Sequence, residues 1–182
     1  MSAQTNPTTK TTMTRLSGKT ALVTGASRGL GRASALALAR MGAQVLVHYS
    51  SGAKEAEAVV DEIRKVGGRG DAVAADLSMP DGAHKLAKQV SAVVGDRLDI
   101  LIANAGISKA AAIEETTVED FDRLFAINVR APFFLVQELL PIMGKDSSIV
   151  LVSHSRTSPE RCVPGRYRNP RRKKTAAMSA EV

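Results

Sequence analysis

The residues with the clearest chemical potential stand together near the start of the chain, as Thr24-Gly25-Ala26-Ser27-Arg28-Gly29-Leu30-Gly31. Glycines at this spacing let backbone approach a bulky anion, because no Cβ stands in the way. Before them, Thr20-Ala21-Leu22-Val23 reads as a short buried strand; after them, an alanine-rich helix runs from Arg32 to Met41 and stops at Gly42. A helix start behind a glycine turn offers free N–H groups and a partial positive charge to a phosphate. Strand, turn and helix in this order are the layout of a dinucleotide site, with the pyrophosphate on the turn. Glycines that only cap a helix are the plainer alternative for the turn taken by itself.

Other polar groups fall at the ends of apolar runs. The run Gln44–Tyr49 ends in Tyr49-Ser50-Ser51, about twenty residues past the turn, where an NAD site would carry Asp or Glu for the ribose 2′-hydroxyl. No acid is present there and Arg28 lies inside the turn, which favours NADP, with NAD as the alternative. Read plainly, Arg28 is a solvated charge and Ser51 a helix cap. Asp76-Leu77 follows a third run, where an aspartate by itself is a turn residue. Asn104-Ala105-Gly106 closes a fourth, and small residues there let a cofactor lie against the strand ends, in the crevice where open α/β sheets bind ligands. Asn128 sits on a stripe of Phe121, Leu124, Phe125, Val129 and Pro132. An amide on a buried stripe costs free energy unless it is hydrogen-bonded; a satisfied core amide beside the bend imposed by Pro132 is the plain reading.

The elements that must position these groups alternate. Strands are expected at 20–23, 44–49, 71–75, 100–103 and 148–152, the fourth wholly apolar, as a parallel strand covered on both faces should be. Between them, Ala56, Val59, Val60, Ile63 and Val66 mark one helix face, ended by Gly67-Gly68, and Ala83, Leu86, Ala87, Val90 and Val94 mark another. A long helical stretch is expected from about Val118 to Met143, with Thr117 as its cap three residues before Asp120. The expected fold is α/β: a Rossmann-like, doubly wound parallel sheet in three layers, α/β/α. The boundaries divide the chain into a leader, 1–16, a dinucleotide-binding domain, 17–153, and a basic irregular tail, 154–182.

Thr24-Gly25-x-x-x-Gly29-x-Gly31, Asp76, Asn104-Ala105-Gly106 and the segment Asn128-x-x-x-Pro132, in this order and phase, resemble the short-chain dehydrogenase/reductase family of classical type. The resemblance covers Lys19 to about Ser153. It implies hydride transfer between a nicotinamide cofactor, NADP or NAD, and a small-molecule carbonyl or alcohol. It also implies that the cofactor meets Gly25, Ser27, Arg28, Gly29, Leu30, Gly31 and Ser50, that Asp76 beside Leu77 contacts the adenine amino group, and that Asn104, Ala105 and Gly106 border the cofactor. Asn128 would open its helix and hold a water in a proton relay. The family's dimers use the long helices around this asparagine, which implies a homo-oligomer.

The chain departs from the family where the catalytic residues should follow. Ala103 stands where the family usually has Asn before its Asn-Ala-Gly. After the fifth strand comes Val152-Ser153-His154-Ser155 in place of Ser-Ser, so Ser153 or Ser155 is the candidate serine. Tyr167 lies near the expected tyrosine, but the family's lysine four residues on is Arg171, with Pro170 between, and Lys173 is six on. Arginine favours a phenolate electrostatically yet does not release its proton, so it cannot join a relay. From Ser153 the chain carries eight Lys or Arg and two Glu, which supplies +6 of the net +7. This break looks like a truncated or frameshifted reading frame, and the family's later strands and substrate loop are not found. The alternative is a cofactor-binding or interaction protein without turnover, carrying a basic tail. Nucleic acid is disfavoured as a partner, since Tyr167 is the tail's one aromatic and no recognition motif is present.

At 182 residues one domain with a substantial core is expected, burying roughly 70% of its unfolded surface. No apolar run looks long enough to cross a membrane. Met1 to Thr14 lack the apolar stretch of a secretory signal and read as a disordered leader. The single cysteine, Cys162, excludes an internal disulfide and suits a cytoplasmic protein. No metal-ligand spacing stands out.

Overall fold

A computed structural model of the chain describes residues 15–109 and 113–153. The leader to Thr14 and the tail from His154, with Tyr167 and Cys162, lie outside the described residues. The chain divides after Val152, and the described residues of the first unit are compact.

The first unit is a sheet of five parallel strands in the order β3-β2-β1-β4-β5: β1 Thr20–Val23, β2 Gln44–Tyr49, β3 Arg69–Ala74, β4 Ile100–Ala103 and β5 Ser148–Leu151. The helices are α1 Gly29–Arg40, α2 Ala53–Lys65, α3 Gly82–Val94, α4 Val118–Phe125 and α5 Ala131–Leu139. This is the expected Rossmann-like arrangement. Strand alternation builds two cores. Ala21, Val23, Val45 and Val47 pack with Ala35, Leu38, Val59, Val60 and Ile63 of α1 and α2. Leu22, Leu46 and Leu101 pack with Leu86, Val90, Leu135 and Leu139 of α3 and α5.

Three differences from the sequence reading have physical causes. First, α1 begins at Gly29, three residues early, because the glycine turn is itself the first helical turn. The fold also takes in Leu16, whose N–H donates to the Met41 carbonyl at 2.8 Å and whose side chain packs against the α1–α2 core.

Second, the long helix is broken into α4, a π-helical turn Ala126–Arg130 and α5. The Thr117 hydroxyl caps α4 as expected, accepting from Asp120 N–H at 3.2 Å. Third, the stripe thought to be buried is largely not: Phe121, Phe125 and Val129 are half exposed, and the covered face is Ala126, Ile127, Ala131, Leu135 and Leu139. The helical stretch has two apolar faces, and periodicity alone does not say which meets the sheet. β5 is likewise exposed along its length, with Leu151 at 62%, and β4, expected to be covered on both faces, buries Leu101 and Ala103 while Ile100 and Ile102 are half-buried.

The succession Val118–Ile142 is long and apolar enough to cross a membrane, with mean hydropathy 1.3, contrary to the sequence reading. It is interrupted by the π turn and by Pro132, and α5 packs Ala131, Leu135 and Leu139 against α3 and the sheet while Phe133 and Phe134 stay exposed.

Candidate cofactor site

The carboxyl ends of β1, β2, β3 and β4 bring the glycine turn, Ser50, Asp76 and Asn104 to one edge of the sheet. Thr24 is the pivot. It is buried, and its hydroxyl accepts from Asn104 N–H and Ala105 N–H, each at 2.9 Å. The Asn104 amide donates back to the carbonyls of Thr24 and Gly25 at 3.0 and 3.2 Å. The ends of β1 and β4 are thus tied together by a threonine and an asparagine.

The glycines are required by contact as well as conformation. A Cβ on Gly31 would lie 2.3 Å from the Gly25 carbonyl oxygen and 2.6 Å from Asn104 Nδ2. Gly25 has φ +62° and its Cβ would meet Ala105 Cα at 2.9 Å. Gly29 has φ +57° but faces open space. The N-terminus of α1 carries no side-chain cap and no acid in its first turn. Its first N–H groups therefore face outward with a positive dipole end, which suits an anion. A backbone cradle, a positive helix end and absent Cβ atoms fit a dinucleotide pyrophosphate. Among the described residues no cluster of His, Cys, Asp and Glu suits a metal ion.

The remaining residues divide. Arg28, Leu30 and Ser50 are exposed at this edge and Ser27 is half-buried. Leu77 is 6% exposed and belongs to the α3 core, so only its backbone faces the site. One oxygen of Asp76, Oδ1, accepts from Ser78 N–H at 2.9 Å and Ser78 O–H at 2.7 Å; these bonds lower its pKa below the usual carboxylate range. The turn role and the site role share one residue, since Oδ2 has no protein partner among the described residues.

Asn128 is exposed rather than set in the core. Its amide clamps Ile107, accepting from its N–H and donating to its carbonyl, both at 2.9 Å. A Cβ on Gly106 would come within 3.3 Å of Asn128 Oδ1, so Gly106 and Asn128 lie together. The π turn runs through this residue, closed by Ala131 N–H donating to the Ala126 carbonyl. Pro132, four residues on, has no N–H, so the Asn128 carbonyl has no α-helical donor. Ser153, just past β5, is exposed. Tyr167 lies outside the described residues.

Sequence reasoning missed two residues. His48 lies buried beneath the turn, and its signal was an imidazole directly after the apolar run Val45-Leu46-Val47. Glu55, in the first turn of α2, has Oε2 3.2 Å from where a Cβ on Gly52 would stand, a point also 3.4 Å from Ser27 Oγ. That sets Glu55 and Ser27 around Gly52, with the acid one turn of helix beyond where a strand-end acid was sought.

Known proteins share this architecture. A family model described as short chain dehydrogenase matches residues 19–161. The chain is 44% identical over 138 residues to a hydroxynaphthalene reductase-like protein, Arp2, of Metarhizium robertsii, covering 76% of this chain and 51% of that one. It is 41% identical over 150 residues to versicolorin reductase stcU of Emericella nidulans, covering 82% of this chain and 56% of that one. The crystal structure of the angucycline C-6 ketoreductase LanV with bound NADP superposes with TM-score 0.72 at 46% identity, over 76% of this chain and 56% of that one. The chain spans about half the length of the curated relatives it matches. With the glycine turn, the Asn104 tie and the π turn at Asn128 all in place, the match over residues 19–161 shows that this chain belongs to the short-chain dehydrogenase/reductase family.

Proposed function

We propose that this chain binds NADP(H) in preference to NAD(H) and serves an oxidoreductase reaction on a small-molecule carbonyl or alcohol. The observation that carries the reading is the uncapped α1 N-terminus behind the Gly25–Gly31 contact. Relatives named as reductases, and LanV with its bound NADP, support it. When bound, the cofactor supplies or accepts the hydride.

This chain's residues do the rest. Gly25, Gly29 and Gly31 open the backbone to the pyrophosphate, and the first N–H groups of α1 meet its charge. Arg28, with Ser27 and Ser50, takes the 2′-phosphate, where a charge-assisted bond is stronger than a neutral one. Asp76 accepts from the adenine amino group, and Asn104, Ala105 and Gly106 border the cofactor. Asn128 positions the Ile107 loop with its amide and holds a water on its carbonyl. Ser153 orients the substrate oxygen and Tyr167 moves the proton.

A phenol of ordinary pKa, near about 10, needs a neighbour that lowers it. Arg171 can do that but cannot pass on a proton. This favours a second reading, cofactor binding with little or no turnover. The test is titration with NADPH, then its consumption against a panel of ketones and 3-oxoacyl thioesters, beside Tyr167→Phe. The first reading expects NADPH to bind and be consumed; the second expects binding with almost no consumption. Robust turnover abolished by Tyr167→Phe refutes the second reading, and absence of binding overturns both.

A further inference from the structure

β2 carries one ionisable side chain into the interior. His48 is 2% exposed, beside the fully buried Val45, Leu46 and Val47, and nothing in the proposed reaction uses it. A buried imidazole needs a partner at each nitrogen. Nδ1 accepts from Gly25 N–H at 3.1 Å, and Nε2 stands 3.1 Å from the Ala75 carbonyl oxygen. A backbone N–H only donates and a carbonyl only accepts, so these partners allow one form of the ring, neutral with its hydrogen on Nε2. Burial favours the same form, lowering the pKa to about 4 against the opposing effect of the Ala75 carbonyl. A second ring hydrogen would point at the Gly25 hydrogen.

The place of this ring matters more than its burial. Gly25 lies at the centre of the candidate site: its N–H is held by His48, its carbonyl by Asn104, and Gly31 rests on that carbonyl. The His48 backbone carbonyl also accepts from Ala26 N–H at 2.9 Å. One residue therefore holds two successive amides of the glycine turn. Its other nitrogen holds Ala75, the residue before Asp76. We propose that His48 is a positioning residue of the dinucleotide site, its imidazole orienting the Gly25 peptide and coupling the glycine turn to the segment that carries Asp76.

This rests on the reading of the turn as the cofactor site, and the experiment separates the two. In the full chain at neutral pH, long-range proton–nitrogen NMR of the ring reports the tautomer, and amide exchange reports Gly25, both without cofactor. The Nε2–H form and a slowly exchanging Gly25 are expected; the Nδ1–H form or a charged ring overturns the proposal. NADPH titration then compares wild type, His48→Asn and His48→Leu. The Asn oxygen occupies the place of Nδ1 and still accepts from Gly25, so its affinity should stay within about twofold, while Leu should weaken binding about tenfold, as for one lost buried hydrogen bond. Equal binding by wild type and His48→Leu overturns the role of His48 alone, as does equal loss in both variants. Failure of the wild type to bind any dinucleotide overturns the cofactor reading itself, and this proposal with it. Should His48→Leu fail to fold, the wild-type tautomer and His48→Asn decide.

Discussion

Gly31→Ala tests whether the glycines form a cradle or merely cap a helix. The added Cβ would stand 2.3 Å from the Gly25 carbonyl oxygen, 2.6 Å from Asn104 Nδ2 and 2.9 Å from the Gly25 carbonyl carbon. Two of these atoms are backbone, so no side-chain rotation relieves the contact. Either α1 must back away by about 1 Å or the Gly25 peptide must turn, and overpacking of this kind costs about 1–3 kcal/mol. For a domain of this size each kcal/mol lowers the Tm by about 2–4 °C. Gly67→Ala, just past the end of α2 and outside the site, is the control: its Cβ meets nothing within 4 Å, and only its φ of +80° opposes the change, at about 1–2 kcal/mol. The two variants should thus lose comparable stability. They differ in where the movement falls, since Gly31 lies on the face where Gly25, Asn104 and the helix start converge. Thermal melts and NADPH titrations on both are expected to show similar Tm losses, with Gly31→Ala binding at least tenfold more weakly than Gly67→Ala. An unchanged NADPH affinity in Gly31→Ala would refute the cradle and leave the glycines as helix punctuation.

Three further outcomes are expected. NADPH should bind more tightly than NADH by roughly tenfold to a hundredfold, the worth of one charge-assisted bond, and Arg28→Ala should erase the difference; equal dissociation constants in the wild type would refute this. Burial raises the pKa of Asp99, but bonds from Lys19, Thr20 N–H and Arg97 outweigh it and hold the carboxyl at about 2 against an ordinary 3.8. A depressed carboxyl stabilises the fold above its unfolded pKa, so about 2 kcal/mol should be present at neutral pH and lost as pH falls from about 4 toward 2. Denaturant unfolding across that range should be flatter in Asp99→Asn, and identical slopes would count against the network. Finally, Ile149, Val150 and Leu151 are 39%, 46% and 62% exposed on a strand paired only with β4 among the described residues, and such an edge invites association. Light scattering should show concentration-dependent association relieved by Leu151→Lys, and a strict monomer at high concentration would contradict it.

Much of this protein was legible in order along the chain. Strand and helix positions follow from local periodicity, which is why Gln44–Tyr49, Ile100–Ala103 and the buried face of α3 match their expected places. The glycine turn, Asp76, Asn104-Ala105-Gly106 and Asn128 were legible because they require particular small or polar residues at particular spacings, whatever surrounds them. Contacts between residues distant in sequence were not. Thr24 and Asn104 are eighty residues apart, and only the pairing of β1 with β4 brings their hydrogen bonds together. His48 looked like an ordinary member of β2 until β1 and β3 set Gly25 and Ala75 against its two nitrogens. Periodicity picked out the stripe from Phe121 to Pro132 around Asn128, but the sheet chose Ala131, Leu135 and Leu139 and left Phe121 and Phe125 outside. A residue's neighbours along the chain set its conformation, whereas its partners across the sheet set its hydrogen bonds and exposure, and those exist only once the strands have been placed in order.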